Sequence, residues 1–396
     1  MKKSHSINKR SFYKGLTRNL VIIGFVSLFT DLSSQMVFPL IPLYLVSIGA
    51  GAWIVGLVEG AAESTASLLK VLSGYLSDKI KCRKPFVISG YSLSTISKPL
   101  FALATTWPLV LFVRIFERVG KGIRTAPRDA IIAESIEPSV RGKAYGFHRA
   151  MDGIGSISGA VFAFLLFPIL GFKNIFLVAF IPAVVAVLFI LFLKEKIPKS
   201  KNPPEKTGSF KVCIKKLPRN LKLFILVSCI FSFGHFGYAF ILLKARNIGL
   251  GNDTSIFLYV IFYIVYSVFI IPAGILSDKY GRKPVLMIGY ILFAVTAIGL
   301  IFTSKFYALL VVFVIYGIFY AMIDGVQRAF VADLSPPELK ATAFGTFHTA
   351  IGLVALPGGF LAGIIWDKIS PDVTFLFALT LTIFSLFLFM FVRNNK

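Results

Sequence analysis

Runs of apolar residues about twenty positions long alternate with short polar connections along the whole chain. An α-helix of that length crosses the roughly 30 Å hydrocarbon core of a bilayer, so each run predicts one transmembrane helix. The predicted helices are, in order, 20–48, 53–76, 85–105, 108–132, 144–170, 172–193, 221–243, 256–276, 284–303, 306–332, 341–365 and 373–392. The pattern therefore predicts an all-α membrane protein with twelve transmembrane helices.

The composition fits a chain that lies in a lipid bilayer rather than in water. Of the 396 residues, 56% are hydrophobic and only 15% are charged, and 41 are phenylalanine. A formal net charge of +24 would suggest a nucleic-acid partner in a soluble chain. Here the basic residues concentrate in predicted loops, so no nucleic-acid partner is expected. Cys82 and Cys213 also fall in predicted loops and Cys229 falls in a span, so no disulfide is expected.

The distribution of basic residues predicts how the chain is oriented. The N-terminus carries Lys2, Lys3, Lys9, Arg10, Lys14 and Arg18. Residues 76–86 and 194–219 are also rich in lysine and arginine, whereas the connections 49–52 and 105–107 carry no charge. Because basic loops stay on the cytoplasmic side, both chain ends are predicted to be cytoplasmic and the protein to lie in the cell membrane. The first apolar run lacks a small-residue cleavage site, so it is interpreted as a retained span rather than a signal peptide.

The chain divides into two halves with matching sequences. A connection over 194–220 is rich in lysine and proline, and it separates a six-helix unit 1–193 from a second unit 221–396. The segment GYLSDK that begins at Gly74 returns as GILSDK at Gly274, an offset of 274 − 74 = 200 residues. Parallel repeats of six helices are typical of transporters whose substrate binds between the halves. We therefore expect two pseudo-symmetric six-helix bundles.

Both copies of this segment resemble the loop signature of the major facilitator superfamily, which follows the second and eighth helices. The two stretches are GYLSDKIKCRKP and GILSDKYGRKP, and RIFERVGKG in the fourth predicted helix is similar to a further motif of that family. The resemblance implies a secondary transporter with alternating access, in a prokaryotic branch similar to drug/proton-antiporter-like members. It also implies gating loops that contain Gly74, Asp78, Arg83, Lys84, Gly274, Asp278, Gly281, Arg282 and Lys283. The N-terminal copy departs from the signature, because it has one inserted residue and no glycine at the turn.

Charged residues within the predicted helices are the candidates for substrate binding and coupling. They are Asp31, Glu59, Glu63, Arg114, Glu117, Arg118, Lys121, Arg149 and Asp152. A charge at bilayer depth is costly unless it faces the bundle interior or a water-filled cavity and pairs with another charge. The alternative to coupling is a permanent structural ion pair, such as Glu63 with Arg118 or Asp31 with Lys98.

The C-terminal half carries far fewer charged residues in its predicted helices. Coupling is therefore assigned to the N-terminal half, and the C-terminal half is expected to supply apolar and aromatic lining. Candidates for this lining are Tyr238, Phe262, Tyr263, Tyr266 and Phe319. No Cys/His spacing predicts a metal site, no nucleotide-binding loop is evident and no nucleophile–base pair predicts an enzyme, so no cofactor is expected.

The leading functional hypothesis is proton-coupled export of a small organic solute. The carboxylates of the first, second and fifth helices favour it, because a carboxylate can take up and release a proton. An alternative is exchange or import of an organic or phosphorylated anion, bound by Arg114, Arg118, Lys121 and Arg149. A receptor or scaffold that transports nothing is a third hypothesis, and the two matched loop signatures argue against it. The sequence does not identify the substrate, and we expect a monomer in the lipid bilayer.

Overall fold

The structure is a computed structural model, and it describes residues 17–80, 82–135, 141–194 and 217–393. Within these ranges the regular secondary structure is entirely helical, with one 3₁₀ turn at Pro337–Leu339. The α-helices are α1 Arg18–Val37, α2 Leu40–Ser47, α3 Ala52–Ile80, α4 Lys84–Leu103, α5 Trp107–Glu134, α6 Arg141–Val178, α7 Phe180–Leu191, α8 Arg219–Gly234, α9 Tyr238–Asn247, α10 Asn252–Tyr280, α11 Arg282–Phe302, α12 Phe306–Leu334, α13 Lys340–Lys368 and α14 Pro371–Met390. The predicted all-α architecture is confirmed.

The described helices make twelve membrane crossings, as the hydropathy pattern predicts. Helices α1 and α2 form the first crossing, and α8 and α9 form the seventh. Helix α6 turns at Gly171, whose φ of 66° and ψ of −176° are not helical, so it provides the fifth crossing and part of the sixth. Among the described residues, eight segments are long and apolar enough to span a membrane, and one of them, Tyr145–Leu191, contains two crossings. Helices α3, α4 and α5 make the other three, and they are more polar because their buried faces carry charged and hydroxyl side chains.

Two crossings are interrupted, which the hydropathy pattern does not predict. The first is broken at Phe38 and Pro39, and the seventh is broken at 235–237. Proline has no N–H, so Pro42 cannot bond the carbonyl of Phe38 four residues before it. The hydroxyl of Tyr238, at the start of α9, donates to that carbonyl over 3.5 Å. The interruptions thus occur at corresponding places in the repeat and meet between the halves, where the sequence pattern predicts the substrate site.

The same lysine contacts close the ends of both halves. Lys84, which begins α4, donates to the carbonyl of Leu191 at the end of α7 over 3.2 Å. Lys283, at the start of α11, donates to the carbonyls of Met390 and Val392 at the end of α14 over 2.9 and 2.7 Å. Each lysine satisfies carbonyls that a helix end leaves without a partner. The two bundles therefore share contacts as well as sequence, and the predicted pseudo-symmetry is confirmed.

Helices α3 and α13 join the two halves by packing backbone against backbone. A Cβ atom on Gly56 would overlap the carbonyl of Gly359, and one on Gly60 would lie 2.8 Å from the carbonyl oxygen of Ala355. Helices in a membrane approach this closely only through small residues. The glycines of α3 and α13 therefore set the distance between the halves.

The two ends of the molecule differ in how the halves meet. We call the end with the loops near Asp78 and Asp278 the basic face, and the other end the opposite face. At the opposite face, the carboxylate of Asp367 on α13 accepts hydrogen bonds from the N–H groups of Ala52 (3.0 Å) and Trp53 (2.9 Å) at the start of α3. A residue of one half thus caps a helix of the other half.

The interior is more open toward the basic face. Glu63, Lys121 and Arg149 are exposed, although each lies on a helix side that faces other charged residues of the interior. The halves are therefore joined at the opposite face and accessible from the basic face. The predicted connection 194–220 falls mostly outside the described residues, so its boundaries stay a prediction, as does the cytoplasmic position of the chain ends.

Candidate functional site

Arg114 lies at the centre of the buried charges in the N-terminal half. Its side chain has no exposed surface, and neither has that of Glu117. Arg114 donates to Glu59 on α3 over 2.8 Å and to Glu117, one turn along α5, over 3.3 Å. Arg118 places its Nε atom 3.4 Å from the same oxygen of Glu117. Four of the predicted site residues therefore form one cluster that links α3 to α5.

Phe38, at the interruption of the first crossing, carries three cations on its ring. The ring centroid lies 4.4 Å from the guanidinium carbon of Arg114, 4.7 Å from that of Arg118 and 5.4 Å from the ammonium nitrogen of Lys98. An aromatic face attracts cations, and the attraction strengthens where water is excluded. The sequence gives no sign of this role, because Phe38 stands within an apolar run like any other phenylalanine.

The buried cluster has more positive than negative charge. Its cations are Lys98, Arg114, Arg118 and Arg124, and its carboxylates are Glu59 and Glu117. Arg124 donates to the hydroxyl of Ser94 over 2.5 Å and lies 4.3 Å from the ring of Tyr91. The Nε and Nη1 atoms of Arg118 are buried and have no hydrogen-bond partner among the described residues. Within the described residues, Arg118 thus has two such donors, and Arg114 has one, its Nε atom.

Asp31 and Glu63 are not held in the same way. In the described part of the chain, Glu63 accepts one long hydrogen bond of 3.4 Å from Ser67, and neither carboxylate has a salt bridge. Both lie within electrostatic range of Lys121, which is exposed on the open side. Lys98 donates to the hydroxyl of Ser34 over 3.3 Å. The structural ion pairs considered from the sequence, Glu63 with Arg118 and Asp31 with Lys98, are therefore not formed here.

A second polar cluster lies nearer the basic face and includes a residue of the other half. Asp152 lies 3.4 Å from Nδ1 of His148 and 3.8 Å from Arg149, so it pairs with both neighbours on its own helix. Arg149 is also within electrostatic range of Asp324 on α12. Asp324 in turn pairs with Arg328 over 2.9 Å. The sequence-based site did not include Asp324 and Arg328, although their spacing of four residues on one helix face predicts a pair.

The aromatic residues predicted as lining form one continuous cluster of rings in the C-terminal half, together with Tyr259, Tyr316 and Tyr320, which were not predicted. The members are Tyr238, Tyr259, Phe262, Tyr263, Tyr266, Tyr316, Phe319 and Tyr320. Gln35 of α1 bonds two of them, because it accepts from Tyr259 over 2.7 Å and donates to Tyr263 over 2.5 Å. The Tyr316 hydroxyl and the Nε2 atom of His235 are buried and have no partner among the described residues. This aromatic wall therefore faces the charged half and retains two unused polar atoms.

The gating loops repeat one arrangement in both halves. Arg83 pairs with Asp78 over 3.0 Å and also with Glu134 at the end of α5. Arg282 pairs with Asp278 and lies 3.4 Å from Asp333 near the end of α12.

The turns of the two loops differ as their sequences do. Gly281 has a φ of 95°, a conformation that glycine adopts at little cost. Residue 81, in the loop that lacks a glycine, lies outside the described residues. Gly74 packs against Ala126 of α5, and a methyl group on Gly74 would lie 3.2 Å from the Cβ atom of Ala126. A methyl group on Gly274 would have no described atom within 4 Å.

Among the residues that the structure describes, no group of three His, Cys, Asp or Glu side chains is placed to hold a metal ion.

Comparison with known proteins agrees with this architecture. The profile of the Major Facilitator Superfamily matches residues 23–251 and 223–396. The uncharacterized MFS-type transporter MJ1317 of Methanocaldococcus jannaschii is 42% identical over 385 residues, which make up 95% of each chain. A mutant form of the nucleoside transporter NupG superposes with a TM-score of 0.79 at 17% identity, over 95% of this chain and 100% of that chain. A D-xylose-proton symporter gives a TM-score of 0.76 at 16% identity, over 95% of this chain and 98% of that chain.

Proposed function

This chain belongs to the major facilitator superfamily, and we propose that it couples the export of a small organic solute to the movement of protons. Members of the superfamily are transporters, not enzymes, and they work by alternating access. The substrate site then lies between the halves and is open to one face at a time. The residues described above for the two halves are the candidates for that site.

The observation that carries the proposal is the division of the carboxylates within the N-terminal half into two kinds. Glu59 and Glu117 are fixed by Arg114. Asp31 and Glu63 lack a salt bridge within the described residues and lie near Lys121, on the side that water reaches. A carboxylate changes its proton affinity when a neighbouring cation approaches or withdraws. Movement of the halves would change the distance to such a cation, and this links protonation to the conformational change.

The test is transport in proteoliposomes with and without an imposed pH gradient. Glu63→Gln and Asp31→Asn imitate the protonated carboxyl groups, so we expect each variant to lose gradient-driven transport and to retain passive exchange of solute. Asp253→Asn is the matched control, because Asp253 is an exposed carboxylate at the opposite face. If Glu63→Gln, Glu117→Gln and Asp31→Asn all keep full gradient-driven transport, proton coupling through this cluster is wrong.

Exchange or uptake of an organic anion is the second candidate. The excess of buried cations over carboxylates around Arg114 favours it. Under this hypothesis the rate would depend on an anion supplied inside the vesicle and would not respond to the pH gradient. The same proteoliposomes therefore distinguish the two candidates.

A further inference from the structure

We propose that the transported solute is a planar organic carboxylate, whose carboxylate binds Arg118 and whose flat apolar part lies against the aromatic wall. The inference rests on the proposed function only in that the chain is a transporter with its substrate site between the halves. It holds equally for export and for uptake.

Arg118 provides the anion-binding end of this site. Its side chain is 7% exposed, and its Nε and Nη1 atoms lack a hydrogen-bond partner among the described residues. Its nearest carboxylate, Glu117, already bonds Arg114. A buried donor without an acceptor is costly. A carboxylate ligand removes part of that cost, because its two oxygens can accept the parallel N–H groups at the Nη1/Nη2 end of the guanidinium while Nε stays beside Glu117.

The charge around Arg118 also selects for an anion. Four buried cations of the cluster face two carboxylates, so a negative ligand would lower the electrostatic energy of the site. A cationic drug would meet repulsion at the same place.

The aromatic wall provides the planar end. Phe38 and Tyr238 connect the two ends, because the ring of Phe38 lies 4.7 Å from the guanidinium carbon of Arg118 and the hydroxyl of Tyr238 donates to the carbonyl of Phe38 over 3.5 Å. The rings of Tyr263 and Tyr266, which are only half-buried, meet edge to face with their centroids 5.9 Å apart. Such surfaces bind flat rings by offset or edge-to-face contact. A saturated ring of the same size makes fewer of these contacts.

Two unused polar atoms lie within the wall. The Tyr316 hydroxyl and His235 Nε2 are both buried without a partner in the described part of the chain. The two rings are nearly parallel, with centroids 6.4 Å apart. His235 lies at the interruption of the seventh crossing, which corresponds to the Phe38 interruption beside Arg118. A second polar group on the solute, such as a hydroxyl or another carboxylate, would find its partner there.

The experiment measures binding to the purified protein at one fixed pH, by calorimetry. The probe is 2-naphthoate, and its matched controls are 2-naphthamide, which is flat but neutral, and decahydro-2-naphthoate, which is charged but not flat. We expect 2-naphthoate to bind at least about tenfold more tightly than 2-naphthamide, the ratio that one charge-assisted contact gives. Decahydro-2-naphthoate should fall between the two.

Variants identify the residues. Arg118→Gln should weaken 2-naphthoate binding about tenfold or more, and Arg118→Lys should weaken it less, because it keeps the charge and loses the fork. Tyr316→Phe should weaken binding of 6-hydroxy-2-naphthoate more than that of 2-naphthoate. Arg246→Gln is the control, since Arg246 is exposed and, among the described residues, bonds the Leu250 carbonyl near the opposite face. Melting temperature and elution volume report whether each variant is folded.

The outcomes separate this inference from the proposed function. Absence of 2-naphthoate binding, equal affinity for the amide, or full affinity in folded Arg118→Lys and Arg118→Gln would each overturn the inference, even if transport of another solute responds to a pH gradient. Binding with the expected ranking supports it, even if transport proves independent of the gradient.

Discussion

Arg114 is the residue on which the buried charges of the N-terminal half depend. It neutralises Glu59 and Glu117, and it lies against the face of Phe38. The sequence predicts that Arg114 and Glu117 need a polar interior, because both fall deep within an apolar helix. It does not predict Phe38, since that contact depends on how the interrupted first crossing packs against α5. Helical periodicity describes one helix at a time and carries no information on this.

We expect Arg114→Ala to destabilise the protein by about 3–5 kcal/mol, because it leaves Glu59 without its counter-charge and the buried Glu117 with only its longer contact to Arg118. Thermal unfolding of the purified protein measures this. Combining Arg114→Ala with Glu117→Gln removes one of those charges, so part of the stability should return. Arg246→Ala, at an exposed arginine, should change stability little. Equal stability of Arg114→Ala and Arg246→Ala would contradict the assigned role of Arg114.

At the scale of the helices, contacts between halves distinguish the two faces. The N-terminus of α3 is capped by Asp367 of the other half, and α3 then follows α13 through paired glycines. Hydropathy predicts each of these helices with nearly correct ends. It cannot predict which helices meet, since the small residues of α3 and α13 fit many partners. The cap is also invisible in the sequence, because 315 residues separate Ala52 from Asp367.

Asp367→Ala should loosen the closure at the opposite face, because it removes two hydrogen bonds to a helix N-terminus, a cap of about 0.5–2 kcal/mol. An Ala52→Cys reporter, in a protein whose other cysteines are replaced by serine, should then react several-fold faster with a thiol reagent, as such a free energy predicts. Asp253→Ala is the matched control, since Asp253 lies in the first turn of α10 at the same face. An unchanged rate in Asp367→Ala would show that the glycine contacts alone close this face.

At the scale of the whole molecule, the repeat is the feature that the sequence predicts best. An offset of 200 residues relates the two GxLSDK segments, and the structure places both at the same face. The prediction that coupling belongs to the N-terminal half alone is less complete, because Asp324 of the C-terminal half, which pairs with Arg328, lies within electrostatic range of Arg149. Contacts between halves cannot be deduced from either half alone.

The orientation of the molecule is tested by its cysteines. Cys82 precedes α4 at the basic face, and Cys229 lies within α8, while Cys213 lies outside the described residues. Basic loops stay on the cytoplasmic side, so Cys82 and Cys213 should react with a membrane-impermeant thiol reagent in inside-out vesicles and not in intact cells. Cys229 should be protected in both. A Cys82→Ser variant assigns the signal, and labelling of Cys213 in intact cells would reverse the orientation.

The lysine contacts that close each half have a mechanical consequence. Lys84 and Lys283 each bond the start of the third crossing of a half to the end of its sixth crossing. These contacts hold the helices of each bundle together at the basic face. Each bundle should then move as one rigid body, and the two bundles should rotate about the interface between α3 and α13. The binding energy of a solute would drive this rotation rather than deform a bundle. Substitutions within a bundle should change how much folded protein survives, whereas substitutions at the α3–α13 interface should change the rate of the transport cycle.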